Sequence, residues 1–177
     1  MSAPRHLVLI GLMGAGKTTV GERCARRLER RFVDTDAIIE LNAGASIPEI
    51  FEGEGEAGFR ARERTAVADA VASPDPLVIA CGGGAMVDPE NRRAARDAGV
   101  VIWLHAPIET LAARVERDGV ATRPLVAHGP TTATLTRLAD ARHDAYDAAA
   151  HVTVATDGLD PDAVTDAVLA EFARVGQ

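Results

Sequence analysis

The segment best equipped for chemistry is Gly11-Leu-Met-Gly-Ala-Gly16-Lys17-Thr18, which completes the spacing G-x-x-x-x-G-K-[ST]. Glycines at those positions let successive backbone N–H groups turn inward around a phosphate chain, a lysine reaches the terminal phosphates, and a hydroxyl can ligate Mg²⁺. Lys17 is the only lysine of the 177 residues. A second polar group follows at Asp34-Thr35-Asp36, where two carboxylates stand two residues apart and would share one face if extended geometry persisted. Farther along lie Arg60 in the run Glu56 to Glu63, the glycines Gly82, Gly83 and Gly84, and Arg142. Either arginine could fork onto a carboxylate, and the glycines would let backbone approach a small ligand. Each has a plainer reading. Arg60 is four residues from Glu56 and could be a solvated helix pair, and three glycines can be a tight turn.

These residues need elements to hold them at one edge. Apolar runs at Leu7 to Ile10, Arg31 to Asp34, Leu77 to Cys81, Val100 to His105 and His151 to Ala155 predict five strands. Helical stretches separate them, with starts marked by the capping box Ser46-Ile-Pro-Glu49 and by Asp88-Pro89 and Asp160-Pro161. Strand and helix in alternation predict a parallel α/β sheet whose ligands gather at its carboxyl edge. The segment 118–130, rich in glycine and proline with Arg123 at its centre, reads as a functional lid.

Composition narrows the class. One domain spanning 1–177 fits the length, and 47% apolar residues suffice for a core. A net charge of −7 opposes nucleic acid and anionic membranes, so small-molecule partners are expected. No run reaches the roughly 18 apolar residues of a membrane span, and no signal-peptide cleavage pattern precedes the glycine loop, so a cytoplasmic monomer is expected. Cys24 and Cys81 read as reduced core thiols. A guanine-reading Asn-Lys-x-Asp segment needs a second lysine, which excludes a GTPase. Neither Leu77 to Cys81 nor Val101 to Leu104 ends in the acid that a mechanical ATPase uses to orient water.

Taken in order, Gly11 to Thr18, Asp34-Thr-Asp36, Ile50 to Glu63, Gly82-Gly-Gly-Ala85, Thr122-Arg123-Pro-Leu125 and Arg142 resemble the shikimate kinases, phosphate-loop proteins of the nucleoside-monophosphate-kinase-like group. The resemblance runs nearly end to end. It implies a three-layer fold with a five-stranded sheet of order 2-3-1-4-5, a substrate-binding region at 37–64, and a closing lid. It further implies an alcohol phosphotransferase that moves a phosphoryl group from ATP, with Mg²⁺, to the 3-hydroxyl of shikimate on the way to chorismate and the aromatic amino acids. By position, Gly14, Ala15, Gly16, Lys17, Thr18 and Thr19 would hold ATP, with Thr18 and Asp34 toward the metal. Arg114 would stack on adenine, and Arg123 would meet the transferring group. Asp36, Arg60, Gly82, Gly83, Gly84 and Arg142 would hold the acceptor, and Phe51 and Phe59 would wall it. Lys17, Asp36 and Arg123 are the expected catalytic set.

Two expectations need geometry to decide them. Asp144 in Arg142-His-Asp-Ala-Tyr146 would oppose an anionic acceptor if it faced the pocket, favouring quinate or another polyol acid. Asp36, with neighbouring arginines, is expected below the ordinary carboxylate range of about 3.9 and so to orient the hydroxyl rather than take its proton. Gluconate phosphorylation and a nucleotide-binding module without catalysis are the rival functions.

Overall fold

Each apolar run becomes a strand of one parallel sheet in the computed structural model, which describes residues 5–118 and 131–176. The strands are β1 (His6–Ile10), β2 (Arg31–Asp34), β3 (Leu77–Ala80), β4 (Gly99–His105) and β5 (Val152–Ala155), in the order β2-β3-β1-β4-β5. Leu7, Val8 and Leu9 pair with Val78, Ile79 and Ala80 on one side and with Val100, Val101 and Ile102 on the other. Both edges of β1 are therefore paired, and with helices on either face of the sheet its five residues are all buried. β3 ends one residue short of the expected Cys81, although the Cys81 N–H still donates to the Leu9 carbonyl at 3.0 Å.

Seven helices fill the connections among the described residues: α1 (Lys17–Leu28), α2 (Thr35–Ala43), α3 (Ile47–Val71), α4 (Pro89–Ala98), α5 (Ile108–Asp118), α6 (Thr131–Ala149) and α7 (Pro161–Val175). α1 packs on α7 as one layer, while α4 and α5 pack on α6 as another. The main core runs through the sheet between them. The expected starts are present: the Ser46–Glu49 box opens α3, Asp88 caps α4, and Asp160 caps α7 by accepting from Asp162 and Ala163 N–H.

α2 and α3 carry a small core of their own, with Ile39, Ile50, Phe59 and Ala66 at its centre. Phe51 and Phe59 stack there with centroids 4.6 Å apart, Phe59 buried and Phe51 partly buried. α3 breaks at Gly55, where φ of 70° is open to glycine and strained for other residues. Beyond the break, Glu63 lies beside Gly82 and Arg60 beside Gly84. Arg123 and the rest of the expected lid after Asp118 lie outside the described residues.

Candidate active site

β1 delivers the glycine loop to the carboxyl edge of the sheet, and α1 begins at its end. Gly16 is the cap of α1 with φ of 92°, a left-handed turn that leaves the first N–H groups of the helix pointing into the loop. Lys17 Nζ folds back and donates to the carbonyls of Gly11 at 2.7 Å and Leu12 at 3.1 Å. A cleft of about 400 Å³ opens there, lined by Gly14 to Thr19 together with Asp34, Asp36, Cys81 and Arg114. The loop and the acidic pair therefore border one cavity.

The acids reach it by a route the sequence reading did not foresee. Extended geometry stops at Asp34, because α2 starts at Thr35 and Asp34 is its N-cap. One Asp34 carboxylate oxygen accepts from the Asp36 N–H at 3.0 Å and from the Ala37 N–H at 3.4 Å, and the other accepts from the Thr18 hydroxyl at 3.1 Å. The pair thus shares the cleft through a helix start, not through strand alternation.

Asp36 also departs from expectation in charge. Burial, with Asp34 next in weight, pushes its carboxyl up to about 6, against a partial offset from Lys17. The expected arginines contribute nothing comparable, because Arg60 and Arg142 point at Glu63 and at the glycines instead. A carboxylate near 6 is a competent proton acceptor at neutral pH.

Gly82, Gly83 and Gly84 form the meeting place of the remaining groups. A Cβ on Gly82 would overlap an Asp36 carboxylate oxygen and lie 3.1 Å from Glu63 Oε1. One on Gly83 would come 3.1 Å from Arg142 Nη1 and 3.7 Å from the Gly11 carbonyl of the phosphate loop. On Gly84 it would overlap the Arg60 guanidinium. Each glycine is there because a different functional side chain, from a different element, occupies the space of its missing methyl.

Glu63 is a residue the sequence reading passed over. It is 2% exposed, accepts from Arg60 Nη1 at 2.7 Å, and feels Arg142 electrostatically. Burial raises its carboxyl while both arginines pull it down. Glu56 also approaches Arg60, at 3.4 Å, so two guanidiniums and two carboxylates share this corner, with Glu63 buried between the arginines. Tyr146 was also missed: its hydroxyl donates to the Gly83 carbonyl, and burial pushes it up to about 12. Spacing could have suggested both, since Glu63 is one turn from Arg60 and Tyr146 one turn from Arg142. Asp144, by contrast, is exposed while Arg142 and Tyr146 are buried, so it faces away from the acceptor corner.

At the far end of the cleft, Arg114 donates to the Thr156 carbonyl at 2.8 Å, to the Thr156 hydroxyl at 2.9 Å and to the Gly14 carbonyl at 3.2 Å. Those bonds fix it between the phosphate loop and the turn after β5. Arg117, one turn on and not singled out from sequence, lines the same cleft with its side chain 75% exposed.

Known proteins resemble this chain in sequence and in fold. Residues 13–173 match the family described as shikimate kinase. A shikimate kinase of Symbiobacterium thermophilum is 50% identical over 152 residues, covering 86% of this chain and 87% of that one. The structure of the Acinetobacter baumannii shikimate kinase in complex with shikimate superposes with a TM-score of 0.91 at 37% identity, covering 97% of this chain and 94% of that chain. A gluconokinase of Sinorhizobium meliloti shares the fold, with a TM-score of 0.66 at 19% identity.

Proposed function

The chain belongs to the shikimate kinase family, and from that premise we propose how its own residues move a phosphoryl group from ATP to the 3-hydroxyl of shikimate. The carrying observation is that the phosphate loop, Asp36 and the guanidiniums of Arg60 and Arg142 all abut one glycine turn.

The loop backbone from Gly14 to Thr19 holds the phosphates at the start of α1, and Lys17 turns from the loop carbonyls to the terminal phosphates. Arg60 and Arg142 hold the acceptor carboxylate, with Glu63 keeping Arg60 in place. The acceptor ring lies beside Gly82 to Gly84, among the Asp36, Arg142 and Arg60 side chains that the missing methyls admit. Its hydroxyl then faces Asp36, which orients it and takes its proton as the hydroxyl oxygen bonds to the γ-phosphorus and the bond from that phosphorus to the departing ADP breaks. Thr18 and Asp34 fit Mg²⁺: a hydroxyl and a carboxylate 3.1 Å apart offer the hard oxygen donors it prefers and would hold it. When bound, the ion supplies positive charge beside the phosphates. Among the described residues no cluster of three acidic, histidine or cysteine side chains suggests another metal. Arg123 is proposed, on the family resemblance, as the cation that meets the transferring group. Arg114 and Arg117 are the candidates for the adenine face.

We further propose a monomer acting in the cytoplasm, where ATP is supplied. No described helix is long and apolar enough to cross a membrane. The test is ADP release in a coupled assay with shikimate, quinate and gluconate offered separately. Release driven by shikimate well above the others is expected. Preference for quinate or gluconate, or no acceptor dependence, overturns the reading.

A further inference from the structure

We propose that Thr35 is a positioning residue for the reaction: its hydroxyl stands in for a missing rung of the sheet and thereby sets Asp36 against the glycine turn. In the β2–β3 ladder the last pair is Asp34 with Ala80. Beyond it the two chains part, since β2 turns into α2 at Thr35 while β3 runs on toward Gly82. Alternate N–H groups of a middle strand face opposite neighbours. The Cys81 N–H faces β1 and is satisfied by Leu9, so the Gly82 N–H faces the place that β2 has just vacated.

That N–H donates to Thr35 Oγ1 at 2.9 Å, and Thr35 is fully buried. A buried donor without an acceptor is costly, and here no backbone carbonyl of β2 is left to serve. The bond joins residues 47 apart in sequence. On one side it holds the first residue of α2, directly before Asp36. On the other it holds Gly82, one of whose Cα hydrogens faces the Asp36 carboxylate. Three consecutive residues thus divide the work: Asp34 caps the helix and meets Thr18, Thr35 pins the glycine turn, and Asp36 is left to face the acceptor.

The inference rests on the acceptor site proposed above. Thr35→Val keeps the shape and removes the acceptor oxygen, whereas Thr35→Ser keeps the oxygen. In Thr35→Val, kcat/KM for shikimate should fall about tenfold or more while the ATP dissociation constant moves less than about twofold. Thr35→Ser should stay within about threefold of the parent on both. A purely structural role would lower both substrates' parameters together. Wild-type-like kcat/KM in Thr35→Val, or an equal loss of ATP affinity, overturns the proposal. Should Thr35→Val fail to fold, amide hydrogen exchange of Gly82 in the parent enzyme decides: strong protection supports the bond, and exchange as fast as an exposed turn refutes it. Loss of shikimate-dependent turnover in the parent would strike the functional reading instead, and would leave the exchange result standing.

Discussion

Replacing Asp36 by asparagine should disable the enzyme and stabilise the fold in the same molecule. In the folded chain the Asp36 carboxyl titrates near 6, because burial and the Asp34 charge disfavour its ionised form. In the unfolded chain it returns to about 3.9. The folded value is the higher one, so the sign is the reverse of an ordinary paired aspartate. Below the unfolded value both states are protonated and the residue costs nothing. As pH rises through the window between the two values, the folded state alone resists ionisation, and the penalty grows until it levels off above 6. The gap of about two units corresponds to a penalty of up to about 3 kcal/mol at neutral pH. An amide carries no such penalty. Urea denaturation should therefore show Asp36→Asn more stable than the parent by up to about 3 kcal/mol near pH 7.5, shrinking to about 1 kcal/mol near pH 4.5. Turnover should fall by about 10² to 10⁴ while ATP affinity is nearly retained. A variant no more stable than the parent, or a stability difference independent of pH, would refute the account of Asp36 as a desolvated base.

Two further outcomes follow from the geometry. Gly84→Ala places a methyl where the Arg60 guanidinium lies, with Nη2 and Cζ of that side chain 2.8 and 2.9 Å away, so the flexible arginine must yield while the backbone stays put. KM for shikimate should rise about tenfold with the unfolding midpoint little changed, and an unaltered KM would remove Arg60 from the acceptor corner. His6 and His151 both accept backbone N–H bonds at Nδ1, from Leu77 and Val101, each at 3.0 Å, which requires the neutral ring. Burial lowers both imidazoles, with Arg30 adding at His6, and Arg96 and Arg5 at His151. The unfolded state then binds protons first, so their contribution is full above about pH 6.5 and is lost as pH falls below it. Glutamine at both positions should flatten that acid decline in denaturation midpoint, and an unchanged slope would sink the assignment.

Much of the fold was legible because its signals are local. Five apolar runs and three capped helix starts depend on near neighbours, and all five strands and all three starts stand within a residue or two of where the pattern put them. The glycine loop was legible for the same reason, since its left-handed turn and lysine lie within one short stretch of backbone. Asp34-Thr35-Asp36 was read only in part. Alternation suggested a shared strand face, but the cap bond from Asp34 ends the strand, and the threonine between the acids answers to a glycine 47 residues away.

The sequence by itself determined the phosphate-gripping chemistry, the strand and helix alternation, and which charged residues were available to an acceptor. Only the tertiary structure decided which of them meet, that Glu63 and Tyr146 belong with them, that Asp144 does not, and that Asp36 holds its proton more tightly than its neighbours in sequence suggest. The physical reason is that desolvation and close approach depend on what the rest of the chain brings to the same place. A carboxylate's affinity for its proton is set by the water that distant segments exclude and the charges they carry in, and no local pattern encodes either.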